Sequence, residues 1–386
     1  MWHLRDPLQL SDLQVFLPPA LAQCLVYLDG AHDVAQIRRA LSRDLGQQVP
    51  LELVEETLAQ LDQAYLLEND RSRSARAAIL ETFRRQQHRL PALAGVGYPA
   101  AATELQTLFE QVGAADSQPQ TNGWRGRAIV SPHIDYQRGA PVYARVWRRA
   151  AAAVAEADLV LIFGTDHNGG LGTVTLTHLP YATPFGLLPA APGVVQALAQ
   201  ALRPERAFEL ELNHRSEHSV ELSAVWLHYT CHKLGRTPPP MVPILCGSFH
   251  HFVTNGHHPA QDQTLNAFLS ALQESTAGKK VLAVASVDLA HVGPAFGDPF
   301  PIDSDRRQKL AASDRRLIAA INHGDYNRFY EDIAAVQDRD RICGFSSTYL
   351  MLRYLQKVQG VEVAYEQCPA DEQGASYVSI CGLLLE

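Results

Sequence analysis

"LVLIFGTDHNG" (residues 159–169) decides the fold. Leu159 to Phe163 form an unbroken apolar run that stops at Gly164, too short for a helix and suited to a strand buried on both faces. Such strands belong to sheets whose faces are covered by helices. The run delivers a histidine, His167, at its exit. "RAIVSPHIDY" (127–136) repeats the arrangement, with His133 just past Ala128–Val130. In an open α/β sheet, ligands bind outside the carboxyl ends of the strands. Two imidazoles at two strand exits are therefore candidate halves of one site.

Outward from this stretch, apolar runs alternate with helical patterns from about residue 92. Strands are expected at 127–131, 158–163, 241–246, 280–287, 361–366 and 376–385, with a hairpin at 173–188. Helices are expected at 139–156, 192–202, 217–234, 263–276, 304–322, 325–336 and 345–358. This order predicts an α/β sheet covered on both faces. Neither a GxGxxG nor a P-loop pattern is present, so no motif supports nucleotide binding.

The chain of 386 residues is long for one core and suits two domains. Its net charge of −8 argues against a nucleic-acid partner. No apolar run reaches the ~18 residues needed to span a bilayer, and "MWHLRDPLQLSD" lacks the pattern of a secretory leader. The six cysteines include no CxxC pair. Reduced thiols and a cytoplasmic location are expected.

Residues 1–70 read as a small helical unit. "DVAQIRRALSRDLG" (33–46) spaces Val34, Ile37, Leu41 and Leu45 on one helical face, and Gly46 suits its end. "LELVEETLAQLDQAYLLE" (51–68) repeats the pattern, which predicts a winged-helix-like or helix-turn-helix unit. Residues 1–75 carry eleven acidic and six basic side chains, the wrong balance for phosphate neutralisation. Peptide docking or an interdomain role fits better. The segment resembles PqqD-like domains, winged-helix modules that bind peptides for radical enzymes, through its leucine-aspartate-glycine turn (28–30), one helix and "LDQAYLL". Residues 71–91 read as a basic linker helix, leaving 92–386 as the α/β domain.

A third strand exit and two helix starts carry further chemistry. Asp288 and His291 follow the run 280–287, Glu217 and His218 open the helix 217–234, and Cys343 precedes the helix 345–358. His133, His167 and Cys343 are natural ligands for iron, copper or zinc. The helix N-terminus is expected to favour the Cys343 thiolate. His291 suits acid/base work, with Asp288 setting its tautomer, and Glu217 with His218 suits an outer pair or an extra ligand. Each residue alone has a plainer role as a loop hydrogen-bonder or buried thiol; it is the joint placement that points to a site. "SFHHFVTNGHHP" (248–259) fits no ligand spacing and reads as a solvated loop. Trp226 and Leu227 fit core packing.

Together, "RAIVSPHIDYQRGAPVYARVW", "LVLIFGTDHNG", "EHSVEL", "MVPILCGSF", "ASVDLAHVG", "ICGFSSTYLML" and "ASYVSICGLLL" resemble, in order and spacing, the Memo family, whose bacterial members are called AmmeMemoRadiSam system protein B. "LAGVGYPA" (93–100) resembles its opening motif, with Leu93 in place of a histidine; Asn168 stands where some members carry a second histidine. The resemblance implies a three-layer α/β/α domain with a mixed sheet, similar to class III extradiol dioxygenases, which are non-haem iron enzymes. It places metal ligands on His133, His167 and Cys343 and a catalytic histidine on His291. Those dioxygenases use glutamate where Cys343 stands, which sets ring cleavage in doubt. The expected function is a redox-active iron or copper site acting on an unknown small molecule or on oxygen. A non-catalytic peptide- or partner-binding scaffold and a zinc hydrolase are the alternatives. A radical-enzyme or peptide partner is expected for residues 1–70.

Overall fold

A computed structural model describes residues 1–116 and 123–386. It divides into two compact units, Met1–Arg85 and Gln86–Glu386. Residues 86–91, read from sequence as the end of a linker helix, thus belong to the larger unit; the helix itself spans Asp70–Arg84.

In the first unit, strands Trp2–Leu4 and Val15–Leu17 pair antiparallel. Helix Val34–Leu45 is started by a capping box between Asp33 and Gln36 and ended by Gly46 at φ 66°, a left-handed conformation that glycine adopts without strain. Ile37 and Leu41 from this helix and Val54 from helix Leu51–Gln63 are buried in one cluster. The two expected helices are present; the small sheet went unread because three-residue strands carry too few positions to show a period.

In the second unit the hydrogen-bonded strand order is Tyr377–Leu385, Ala128–Ser131, Val281–Ser286, Leu159–Thr165, Met241–Cys246, Val174–Leu176. The middle four run parallel, and both flanking pairings are antiparallel. Gly360–Pro369 pairs along Tyr377–Leu385, and the short strand His291–Val292 pairs at Tyr377 and Val378. The sheet is mixed, with an α/β/α arrangement.

Alternation along the strands builds the two faces. Leu159, Leu161 and Phe163 join a core with helices Pro192–Leu202, Gln263–Thr276, Ser304–Asn322 and Phe345–Leu355. Val160 and Ile162 join a second core with helices Ala102–Ala114, Tyr136–Glu156 and His218–Lys233, which includes Trp226 and Leu227. The expected hairpin at 173–188 divides: Val174–Leu176 becomes an edge strand of the large sheet, and Tyr181–Thr183 pairs with Gly186–Leu188. Among the described residues no helix is long and apolar enough to cross a membrane.

The chain leaves Ala128–Ser131 for the helix Tyr136–Glu156 on one face. It leaves the neighbouring Val281–Ser286 for helix Ser304–Asn322 on the other. This reversal opens a crevice at the carboxyl ends of the strands, where α/β sheets bind ligands.

Candidate metal centre

His133 lies at that crevice and is almost wholly buried, at 2% exposure. Its ring Nδ1 is 2.9 Å from the Ser286 carbonyl, the partner of a ring N–H. This fixes Nδ1 as donor and leaves the Nε2 lone pair facing inward. Nε2 is 3.2 Å from Cys343 Sγ and 3.7 Å from Asp288 Oδ2. Burial, then the nearby His167 and His218, hold its pKa well below the usual histidine value, so the ring is a neutral donor.

Glu217 organises the opposite wall. As the N-cap of helix His218–Lys233 it accepts from Ser219 N–H. Its carboxylate also accepts from His167 N–H at 3.0 Å and lies 3.0 Å from His167 Nδ1 and 3.2 Å from His218 Nδ1. One buried carboxylate thus engages Nδ1 of two imidazoles and leaves both Nε2 atoms available, the usual outer arrangement behind metal-binding histidines. Burial alone would raise Glu217; the bond from His167 and the charges of His167 and His218 hold it below the usual carboxylate range. Burial works against a charged His167, but Glu217 outweighs it and raises that pKa. The rings of His167 and His218 stack with centroids 4.9 Å apart.

Glycines allow these approaches. A Cβ on Gly164 would lie 2.6 Å from Ser219 Oγ and 2.7 Å from Val220 Cγ2, so the bare strand admits the start of the helix that carries Glu217. A Cβ on Gly344 would meet Val287 Cβ at 2.4 Å and the Asp288 carbonyl at 2.7 Å, so glycine there lets Cys343 reach His133.

The donors form two groupings, each with its ligand atoms within 4.8 Å of one another: His133, His167, His218, and His133, Asp288, Cys343. His167 and Cys343, expected as companions, each meet His133 but in separate groupings. Asp288 does not set the tautomer of His291 as expected. Its Oδ1 accepts the backbone N–H groups of His133 and Ile134, at 2.9 and 3.2 Å. His291 Nδ1 faces the Leu289 carbonyl instead, at 3.2 Å, and its ring packs edge-on to Phe296. Burial lowers the His291 pKa against the pull of Asp288. Residues 248–259, read as a solvated loop, hold a short helix, His250–Thr254, with Phe252 buried.

The expected Cys343 thiolate is also corrected. In the metal-free chain, burial, then the charge of Asp288, push its pKa well above the usual thiol value. In the metal-free protein, Cys343 is expected to alkylate at about pH 7 more slowly than an unperturbed thiol of pKa about 8.5. The rate should climb as pH rises toward the elevated pKa. Mapping by mass spectrometry checks this; labelling faster than free cysteine at neutral pH would show that the helix terminus dominates.

Sequence reasoning missed the support behind Glu217. Arg89 is fully buried: Nε donates to the His214 carbonyl at 2.7 Å, Nη2 to the Glu217 carbonyl at 2.9 Å, and Nη1 to the Glu221 carboxylate. Glu221 also accepts from the Ala92 and Leu93 N–H groups and from Tyr98 Oη at 2.6 Å. The segment around Leu93 is therefore pinned to the helix that bears Glu217 and His218. No local signal marks Arg89, because its acceptors lie more than 120 residues away in sequence.

A family model described as Memo-like protein matches residues 89–382, which contain every donor named above. The chain belongs to the Memo family. It is 26% identical over 395 residues to a MEMO1 family protein of Aquifex aeolicus, covering 99% of this chain and 95% of that protein. It is 29% identical over 337 residues to a MEMO1 family protein of Thermus thermophilus, covering 86% of this chain and 92% of the relative. A Memo relative from Thermococcus kodakarensis is 27% identical over 307 residues, with 76% of this chain and 98% of that protein covered. The Aquifex alignment is long enough to include the first unit as well as the Memo-like region.

Proposed function

We propose that the crevice is a redox-active transition-metal centre, iron or copper, acting on a small molecule or on oxygen. The observation that carries this reading is the orientation of the three imidazoles. His133 Nδ1 is engaged by Ser286 and the Nδ1 atoms of His167 and His218 by Glu217, so Nε2 of each ring is left for an ion. A thiol beside His133 extends the donor set toward soft ions. The donors fit such a metal: neutral imidazoles suit iron, copper and zinc, and the thiol becomes a ligand on losing its proton.

When bound, the metal would supply the electron transfer or Lewis acidity of the reaction. The chain's own residues do the rest. Glu217 fixes the rings of His167 and His218. Asp288 holds the backbone of His133. His291, kept neutral by burial, is the group assigned to proton transfer. The three-imidazole grouping also has the donor type of a hydrolytic zinc site, which supports a second reading as a zinc hydrolase. Full-length protein loaded anaerobically is expected to hold one equivalent of iron or copper and to show a reversible redox couple. Tight zinc binding with no such couple would favour the hydrolase. For the first unit, the acidic balance of residues 1–75 and the two amphipathic helices support a module that docks a peptide or protein partner.

A further inference from the structure

A cavity of about 540 Å³ lies beside Val292 and contains none of the metal-site donors. Its size is that of a small-molecule site. The floor is apolar and buried: Val292, Ile302 and Leu310 are each 6% exposed. Phe300, 39% exposed, stands at the wall with the Arg306 guanidinium 4.6 Å above its ring. Four cations line the cavity, Arg306, Lys309, Arg316 and Arg339, against two carboxylates, Asp298 and Asp340. Both carboxylates are engaged. Asp298 accepts from Arg341 at 2.6 Å, and Asp340 accepts from Arg339 Nε at 3.2 Å and from Ser313 Oγ at 3.4 Å. Arg306 is likewise paired, with Asp303 at 2.6 Å. Lys309 and Arg316 are different: among the described residues neither meets a carboxylate. Seven residues apart on helix Ser304–Asn322, they stand two turns apart on the face that carries Leu310 and Ser313.

The opposite wall is held in place. Gln337, Asp338 and Arg341 have φ of 52°, 49° and 52°, a left-handed conformation that non-glycine residues keep only where their surroundings fix them. Asp338 accepts the Ile342 N–H at 2.9 Å, the Asp340 carbonyl accepts the His291 N–H at 2.8 Å, and Arg341 Nη1 donates to the His291 carbonyl at 3.1 Å. A merely solvated basic face would need neither an apolar floor nor a constrained wall. A second basic cavity, of about 560 Å³ and lined by Arg125, Arg127, Lys279 and Lys280, lacks this pattern. Glu156 pairs with Arg125 and Lys280 there, and three helices end beside it, at Glu156, Thr276 and Leu355, whose partial negative charge opposes an anion. We propose that the cavity beside Val292 binds a small amphipathic organic anion, a carboxylate or phosphate monoester on an apolar body. Lys309 and Arg316 share the head group, through charge-assisted hydrogen bonds. Val292, Ile302, Leu310 and Phe300 take the apolar body. Binding there needs no metal, since no donor of the crevice takes part.

The test is calorimetric titration of the full-length protein with octanoate and octyl phosphate, and with octanol and inorganic phosphate as probes of the two halves alone. At least one of the two amphipathic anions is expected to bind about tenfold or more tighter than either half, and the tighter of the two assigns the head group. Lys309→Gln and Arg316→Gln are each expected to weaken that binding by about tenfold, and the double variant by about 100-fold. Phe300→Ala should cost about three- to tenfold through lost apolar contact. These side chains are exposed, so the variants should fold, which thermal unfolding checks. Lys279→Gln, at the other basic cavity, should leave the affinity unchanged. Octanol binding as tightly as the anions, a double variant that binds like the wild type, or an equal loss in Lys279→Gln would each overturn the assignment. So would a wild type that binds neither anion.

Discussion

Replacing Arg89 with methionine is expected to lower the unfolding free energy by about 3–5 kcal/mol, the cost of leaving one member of a buried ion pair uncompensated. Arg89 and Glu221 are both essentially without solvent contact, at 0% and 1% exposure. Glu221 keeps the Ala92 and Leu93 N–H groups and Tyr98 as neutral partners, but it loses its only cationic contact in this network. Glu221→Gln in the same chain should restore part of the loss, because it removes the unpaired charge. A double-mutant cycle of denaturant unfolding measures that coupling. Arg89→Lys should rescue little, since an ammonium lacks the planar fork that reaches three acceptors at once. Folded Arg89→Met protein should also bind iron or copper about 10- to 100-fold more weakly, because the Glu217 carbonyl loses its anchor. Unchanged stability in Arg89→Met would contradict the assignment of this network as core support.

His133→Ala should weaken metal binding of every kind at this site. An apparent zinc affinity of about 10–16 kcal/mol, divided over four ligands, assigns about 2.5–4 kcal/mol to each. That corresponds to about 100- to 1,000-fold in affinity for one lost ligand. The loss should fall on iron and copper alike, since both groupings pass through this ring. The substitution also frees the Ser286 carbonyl and opens space beside Asp288, so thermal unfolding must be followed alongside the titrations. A folded His133→Ala protein that retains either ion at wild-type affinity would place the centre elsewhere.

Much of this molecule is written locally. The run Leu159–Phe163 could only be a strand buried on both faces, and the structure buries it between two helical layers. Helices Pro192–Leu202, Gln263–Thr276 and Ser304–Asn322 begin and end where apolar period and capping residues place them. The strand exits likewise announce His133, His167, Asp288 and His291 as neighbours of one crevice, because all parallel strands present their carboxyl ends on one side of a sheet. The edge role of Val174–Leu176 was not legible, since three residues cannot say whether their partner is a hairpin or a strand some 70 positions on.

Only the tertiary structure decided which atoms meet. Sequence supplied the residue types but not that Glu217 would turn to both His167 and His218, that Asp288 would spend an oxygen on the backbone of His133, or that His291 would bond to Leu289. It favoured a Cys343 thiolate from the helix terminus and a bound metal; in the metal-free chain burial and Asp288 push the pKa up, and both depend on chain segments distant in sequence. Arg89 shows the same limit, as a basic residue in an apparent linker that is a core cation. Hydrophobic period is a property of neighbours along the chain and survives in one dimension. Hydrogen-bond partners, burial and electrostatic sign depend on distances in three dimensions, and packing fixes them only when the sheet and its helices close.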